Sequence, residues 1–333
     1  MMKMISTDIQ LFNQFTNERK LSQRTIYGYS DSLNKFISFT NDSLTNRLNL
    51  YEKQEENTPW RHRQIKKDLI GFQNFLLENL LYNTAKAHFT RICTFLRHYD
   101  FELHNLPKMN AKNCKKPKPI YHNDLLKKEE IRTILENCDH DGLKSLILFC
   151  CVSGCARKEA LSLTIEDYLR ANNTYFYPKM EDDEEYDVKN FIKNVNSDFV
   201  PIFKILRHKT NKHYFTFCTP QSNKMIKNYL LNRNRGNMDL NSPLFKINLD
   251  YLNRLMHKLN DDLNLGTAGQ YIRLRTHMLR KYNASVLYND GMSIEDVDAI
   301  QGRGKDNTHS AYFMEDPLKL RDKYVEHLEV LII

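Results

Sequence analysis

Apolar residues in the first hundred positions recur every three or four residues. After Ser22, which suits a helix N-cap, RTIYGYSDSLNKFISFT places Ile26, Tyr29, Leu33, Phe36 and Ile37 along one side of a helix. IKKDLIGFQNFLLENLL repeats the pattern with Ile65, Leu69, Phe72, Phe75 and Leu76, and AKAHFTRICTFLRHY with Phe89, Ile92, Phe95, Leu96 and Tyr99. A small all-helical domain over residues 1–106 follows. Helical spacing resumes at LLKKEEIRTILENCD and leads into an apolar run at 143–152. The period then changes. NTYFYP, DFVPIFKILRHKT and KHYFTFCT are aromatic and β-branched with turn residues between them, which predicts a few short strands, with KTNK at 209–212 as a tight turn. From about residue 221 the pattern is helical to the end. The expected fold is mainly α with a small antiparallel β-sheet, in two domains, the second spanning 121–333.

Between the domains, PKMNAKNCKKPKPI at 107–120 holds three prolines, five lysines and no acid. Proline denies it a regular helix, and unopposed charge gives it little reason to pack against a core. One reading is a solvated connector. The other is that Lys108, Lys112, Lys115, Lys116 and Lys118 follow a phosphate backbone while the segment joins two domains around a duplex. EDDEEYD at 181–187 reads as a solvated loop.

Composition narrows the classes further. The 333 residues carry a formal net charge of +8, which gives weight to a polyanionic partner without selecting one. Seven cysteines form no CxxC pair, so the expected setting is reducing and intracellular. Cys151 and Cys155 lie four apart but have no second ligand pair, and read as buried thiols rather than zinc ligands. MMKMISTDIQLFNQF lacks the apolar core of a signal peptide, and LILFCCV at 146–152 is too short to span a bilayer. The expectation is a soluble, cytoplasmic protein with no membrane partner. HExxH, GxxxxGK[ST] and GxGxxG are all missing from the sequence.

What remains is a spacing of cations around a tyrosine. Cutting DNA without a metal requires a nucleophile, fixed cations for the charge growing on the nonbridging oxygens, and an acid for the departing 5′ oxygen. A tyrosine with a pKa near 10 needs a proton acceptor and a positive neighbourhood to act as the nucleophile. Arginine suits the oxygens because its planar fork binds phosphate bidentately.

The stretch THMLRKY…GMSIEDVDAIQGRGKDNTHSAYF resembles the C-terminal signature of the tyrosine recombinase (phage integrase) family. His277 and Arg280 fill H-x-x-R, Gly302 fills the following glycine, and Tyr312 falls ten positions later, where the family has its nucleophile. VSGCARKEALSLTIEDY resembles the family's first arginine motif, with one departure. Alignment on Ser153–Gly154 and on Glu159 puts Ala156 at the arginine position, and the resemblance assigns the role to Arg157, one residue on. The hairpin lysine that protonates the leaving oxygen corresponds to Lys209, with Lys212 as competitor. Arg303 stands where the family has histidine or tryptophan; it can donate to phosphate but not readily accept a proton, which shifts proton acceptance from Tyr312 toward His277. His309 is an unassigned neighbour of Tyr312.

The resemblance implies a helical core-binding domain that clamps DNA and a mixed α/β catalytic domain. It also implies cleavage through a 3′-phosphotyrosyl link with no cofactor, and a homotetramer on double-stranded DNA at attachment-type sites in the nucleoid. Integration and excision of a provirus or other mobile element is the implied role, with resolution of chromosome or plasmid dimers as the nearest alternative. A DNA-binding regulator that has lost strand transfer, for which the shifted Arg157 and substituted Arg303 speak, is the reading from another class. A relaxing topoisomerase is the third. The tail DPLKLRDKYVEHLEVLII, with Leu320, Tyr324, Leu328 and Leu331 at helical spacing, is expected either to dock on a neighbouring protomer or to cap its own domain.

Overall fold

The computed structural model describes residues 3–172, 188–233, 238–303 and 316–333; NTYFYP and the acidic loop fall outside them. The chain divides into two compact units, Met1–Lys118 and Pro119–Ile333. Among the described residues no helix is long and apolar enough to cross a membrane.

The first unit is built from α1 (Ser6–Glu18), α2 (Gln23–Thr40), α3 (Leu44–Asn57), α4 (Gln64–Asn79) and α5 (Tyr82–His98). Phe15, Leu33, Phe36, Leu69, Phe72 and Phe95 are almost completely buried in its core, with Phe36 edge-on to Phe72 and Phe15 edge-on to Phe95, both at 5.1 Å between ring centroids. Phe75, expected in the inward stripe, is 39 % exposed and lies over Phe39 and Phe72 at the rim instead. The periodicity had not announced α3, because LTNRLNLYEKQEEN offers the core only Leu44, Leu48 and Tyr51 among polar residues. A buried carboxylate ties it down: Asp68 of α4 accepts from the Tyr51 hydroxyl at 2.6 Å and from Arg47 at 3.0 Å.

The Pro/Lys segment also differs from expectation. Its prolines do restrict it to a single 3-10 turn, Ala111–Asn113. Yet Leu106, Met109 and Cys114 pack against the first unit's core, and Lys115 bridges to Leu81. Two apolar side chains among the lysines, Met109 and Cys114, seat the segment behind Leu106, while Lys108, Lys112, Lys115, Lys116 and Lys118 all stay exposed.

In the second unit, α6 (Lys128–Glu136) precedes α7 (Asp141–Ser153), whose residues Leu146 to Val152 are wholly buried. Around it pack α11 (Pro220–Asn232) and α13 (Thr276–Asn289). Between α7 and α11 the chain forms α8 (Arg157–Ser162), α9 (Ile165–Asn172), α10 (Val188–Asn194) and an antiparallel hairpin of β1 (Ile202–Arg207) and β2 (Lys212–Phe217). Ile202 faces Phe217 and Arg207 faces Lys212, and the turn at 208–211 closes on Asn211 in the left-handed region. After α12 (Leu249–Asp262), a second small hairpin, Thr267–Ala268 with Tyr271–Ile272, interrupts what the pattern read as continuous helix. Glycines 266 and 269, both at positive φ, frame its first strand. The chain continues through α13 and α14 (Ile294–Ile300) to helices Pro317–Glu326 and Leu328–Leu331. This tail packs on its own unit. Leu320, Tyr324 and Leu331 are buried, and the Ile333 backbone exchanges two hydrogen bonds with the Gln221 side chain.

A helix end leaves its last carbonyls without partners, and at the buried C-terminus of α7 no water can supply them. Side chains from three other elements do so. Val152 accepts from Asn283 of α13 at 2.7 Å and from the Tyr324 hydroxyl at 2.9 Å, and Ser153 accepts from Thr216 of β2 at 2.8 Å. Gly154 accepts from Arg280 at 2.7 Å. Gln301, just past α14, completes the group by donating to Asn283 at 2.7 Å and to the Arg280 carbonyl at 3.1 Å. Gly154 caps α7 at φ +63°, and an added Cβ would lie 2.3 Å from the Asn283 oxygen and 2.6 Å from the Gln301 nitrogen. Gly154→Ala therefore combines a left-handed backbone penalty with overpacking, an expected loss of about 2–4 kcal/mol. Urea denaturation checks it: the far-UV circular dichroism midpoint should fall, while fluorescence of Trp60, the only tryptophan and part of the first unit, should move less.

Candidate functional site

Arg280 is 8 % exposed and, among the described residues, bonded only to carbonyls, Nη1 to Gly154 at 2.7 Å and Nη2 to Gln301 at 2.6 Å. The partial negative charge at the end of α7 helps to hold it. Burial, with repulsion from Arg207 and Arg303, draws its pKa below the ordinary arginine value, although a guanidinium stays protonated throughout the working range. Carbonyl dipoles satisfy its donors without cancelling its charge. A buried cation of this kind is receptive to an anion.

The second guanidinium at this place is one that motif spacing does not single out. Arg207 ends β1 on the inward face already occupied by Phe203 and Ile205, and its Nη1 donates to the carbonyls of Gln301, at 3.1 Å, and of Gly302. Arg207 and Arg280 thus converge on the Gln301 carbonyl. The available signal was the alternation F-x-I-x-R, which puts a charge at the inner end of a strand.

Gly302 makes the turn possible. Its φ is +59°, and a Cβ there would meet the Tyr214 ring at 2.5 Å. The Tyr214 hydroxyl donates to Glu159 at 2.9 Å and lies 3.6 Å from the Cys155 sulfur. Burial, followed by the Cys155 and Glu159 charges, raises its pKa far above the usual phenol value, so Tyr214 is a scaffold residue and a poor nucleophile.

His277, three residues before Arg280 on α13, is exposed. Partial desolvation and the positive charges of Lys281, Arg275, Arg280 and Arg303 lower its pKa, so the neutral imidazole is favoured. Arg303 is exposed and pairs with Asp298 at 3.2 Å while adding its charge to the fields at His277 and Arg280. Lys209 lies exposed on the hairpin turn, two residues beyond Arg207. Tyr312 and His309 lie outside the described residues.

Arg157 turns elsewhere. It is the first residue of α8, with Ala156 at the N-cap, and its Nη1 donates to Asn253 of α12 at 2.9 Å. One residue of shift rotates a helical side chain by about 100°, and here nothing upstream compensates. Arg157 instead lines a cavity of about 380 Å³ with Asn253, Tyr271 and Arg275.

No protein-family model and no curated protein matches the chain by sequence. Solved structures do match by shape. The XerH site-specific recombinase bound to palindromic difH substrate in a post-cleavage complex superposes with a TM-score of 0.57 at 18% identity, over 95% of this chain and 83% of that one. The XerH pre-cleavage complex with difH gives 0.54 over the same shares, again at 18% identity. A lambda integrase(75–356) dimer bound to a COC′ core site gives 0.51 at 12% identity, over 92% of this chain and 94% of that one. Similarity of this extent, over more than nine-tenths of this chain, means that the chain has the mainly helical fold of the tyrosine recombinases.

Proposed function

We propose that the chain belongs to the tyrosine recombinase family and is a site-specific DNA recombinase. The observation that carries this reading is the convergence of Arg207 and Arg280, neither paired to a described carboxylate, on the Gln301 carbonyl, with His277 and Arg303 beside them. Two guanidiniums there would bind the nonbridging oxygens of a phosphodiester and stabilise the charge that grows as phosphorus becomes five-coordinate. Tyr312 lies in sequence ten residues past Gly302. In the proposed step its oxygen bonds to phosphorus and the bond from phosphorus to the 5′ oxygen breaks. The phenolic proton passes to neutral His277, and Lys209 protonates the leaving oxygen. The 3′-phosphotyrosyl link conserves the phosphodiester's energy, and a 5′ hydroxyl from a partner strand reverses the step to rejoin DNA.

Double-stranded DNA carrying attachment-type sites is the proposed substrate, bound by a homotetramer with the exposed linker lysines on the backbone. Integration and excision of a mobile element is the proposed role, and dimer resolution the alternative; the XerH structure was solved bound to difH substrate and the lambda integrase structure bound to a COC′ core site. The departure of Arg157 from the cluster favours a second reading, a DNA binder without strand transfer. The position of Arg207 weighs against it, because a second guanidinium is present after all.

A suicide duplex nicked next to the cleavage position decides between them. Covalent protein–DNA adduct is expected with the native chain and none with Tyr312→Phe; tight binding with no adduct at any cognate site would leave only the binder. Arg280→Ala and Arg207→Ala should each slow adduct formation by about 10²–10³-fold, as loss of one transition-state donor does, and Arg157→Ala by much less. A separate check concerns His277. Its imidazole should titrate below the ordinary histidine value in the free protein, because desolvation and four neighbouring cations disfavour the charged form. It should shift upward when duplex DNA brings phosphate to the cluster, as read from histidine proton NMR with His277→Gln for assignment.

A further inference from the structure

The cavity that receives Arg157 is unlike the cluster around Arg280 and does not belong to it. None of its described lining residues is acidic, and two are arginines. Arg275 lies over the Tyr271 ring, its guanidinium carbon 4.4 Å from the centroid. Among the described residues its Nε is buried without a hydrogen-bond partner, and its Nη2 reaches only the weak acceptor sulfur of Met278 at 3.8 Å. Arg157 is held by the neutral Asn253 amide. Among the described residues neither arginine has a carboxylate partner. Arg273, two residues before Arg275, shows what a structural arginine does here. It forms a bidentate pair with Glu130 at 2.7 and 2.8 Å and donates to the carbonyls of Asp124, Leu125 and Leu265. The ring holds the Arg275 guanidinium in place without neutralising its charge, and an aromatic-backed guanidinium is pre-organised to bind an oxyanion. Thr276 adds a hydroxyl and His257 an imidazole to the same walls.

The cavity is also close to the cluster. Arg275 is the N-cap of α13, two residues before His277, and its charge is among those that lower the His277 pKa. Two cationic sites five residues apart along one helix match the repeating charge of a nucleic-acid backbone better than they match two independent small ligands.

We propose that the Arg157–Arg275 cavity seats a second backbone phosphate of the DNA strand that passes through the Arg207–Arg280 cluster, fixing the strand's register without taking part in chemistry. The inference rests on the recombinase reading, since it assumes that DNA lies across this unit. Both arginines serve one phosphate, so losing either lowers the number of counterions released on binding by about one equivalent, and losing both lowers it no further.

Fluorescence anisotropy with a labelled 30-base-pair duplex over a range of salt concentrations tests this, in a Tyr312→Phe background so that no cleavage intervenes. Arg157→Gln and Arg275→Gln are each expected to weaken binding about tenfold at 0.15 M salt and to reduce the log–log salt slope by about 0.9, and the double variant by the same 0.9. Arg275→Lys, which keeps the charge, should keep the slope, and serves where Arg275→Gln fails to fold. Duplex binding with an unaltered slope in both Gln variants would overturn the seat and leave the recombinase reading standing. So would additive losses in the double variant, which mean two separate contacts. Inorganic phosphate that raises the melting temperature of the native chain but not of Arg275→Gln, with duplex binding unchanged, would reassign the cavity to a free anion. No binding to any duplex would sink this inference and the recombinase reading together.

Discussion

The second unit is organised by a requirement of the buried end of α7. Its carbonyls must find donors without water, and they find them in Asn283 and Arg280 of α13, Thr216 of β2 and Tyr324 of the tail. Each donor comes from a part of the chain that must therefore fold against this point. Gln301 locks the arrangement by bonding Asn283 and Arg280 together, and Gly154 leaves room for both amides. Satisfying a helix end and building a cationic cluster are here one structural act, because one of the donors is an arginine whose charge the carbonyls cannot cancel.

Three arginines show how different partners give the same side chain different capacities. Arg273 is neutralised by Glu130 and spans three carbonyls, so it fastens loops. Arg280 is buried, among the described residues on carbonyls alone, and keeps its charge uncancelled. Arg275 is held by an aromatic face with a donor left over. The chemistry open to each follows from what already occupies its donors.

The tail is tied into the same place. Tyr324 is wholly buried with its hydroxyl on Val152, and the Ile333 backbone pairs with Gln221. Movement of this tail would uncover part of the demand at the end of α7, so its seating and the order of the Arg280 cluster are energetically linked.

The sequence alone determined α2, α4 and α5 of the first unit, α6, α7 and the largely helical course after residue 221 in the second, and the β1–β2 hairpin with its turn, because a period of 3.6 or 2 in apolar positions is a local property of the chain. It also determined the intervals linking His277, Arg280 and Gly302. It did not show α3, whose three core residues are outnumbered by polar ones, or the short hairpin at 267–272, and it read the 107–120 segment as free of the core that Met109 and Cys114 join. Only the tertiary structure decided which arginine accompanies Arg280. Arg157 seemed the natural candidate from its motif, but a single residue of rotation sends it to Asn253, and Arg207 arrives from a strand instead. The bond from Arg280 to Gly154 joins residues 126 positions apart. Which charge meets which carbonyl across such a distance depends on how helices and hairpin pack, and no pattern confined to neighbouring residues carries that information.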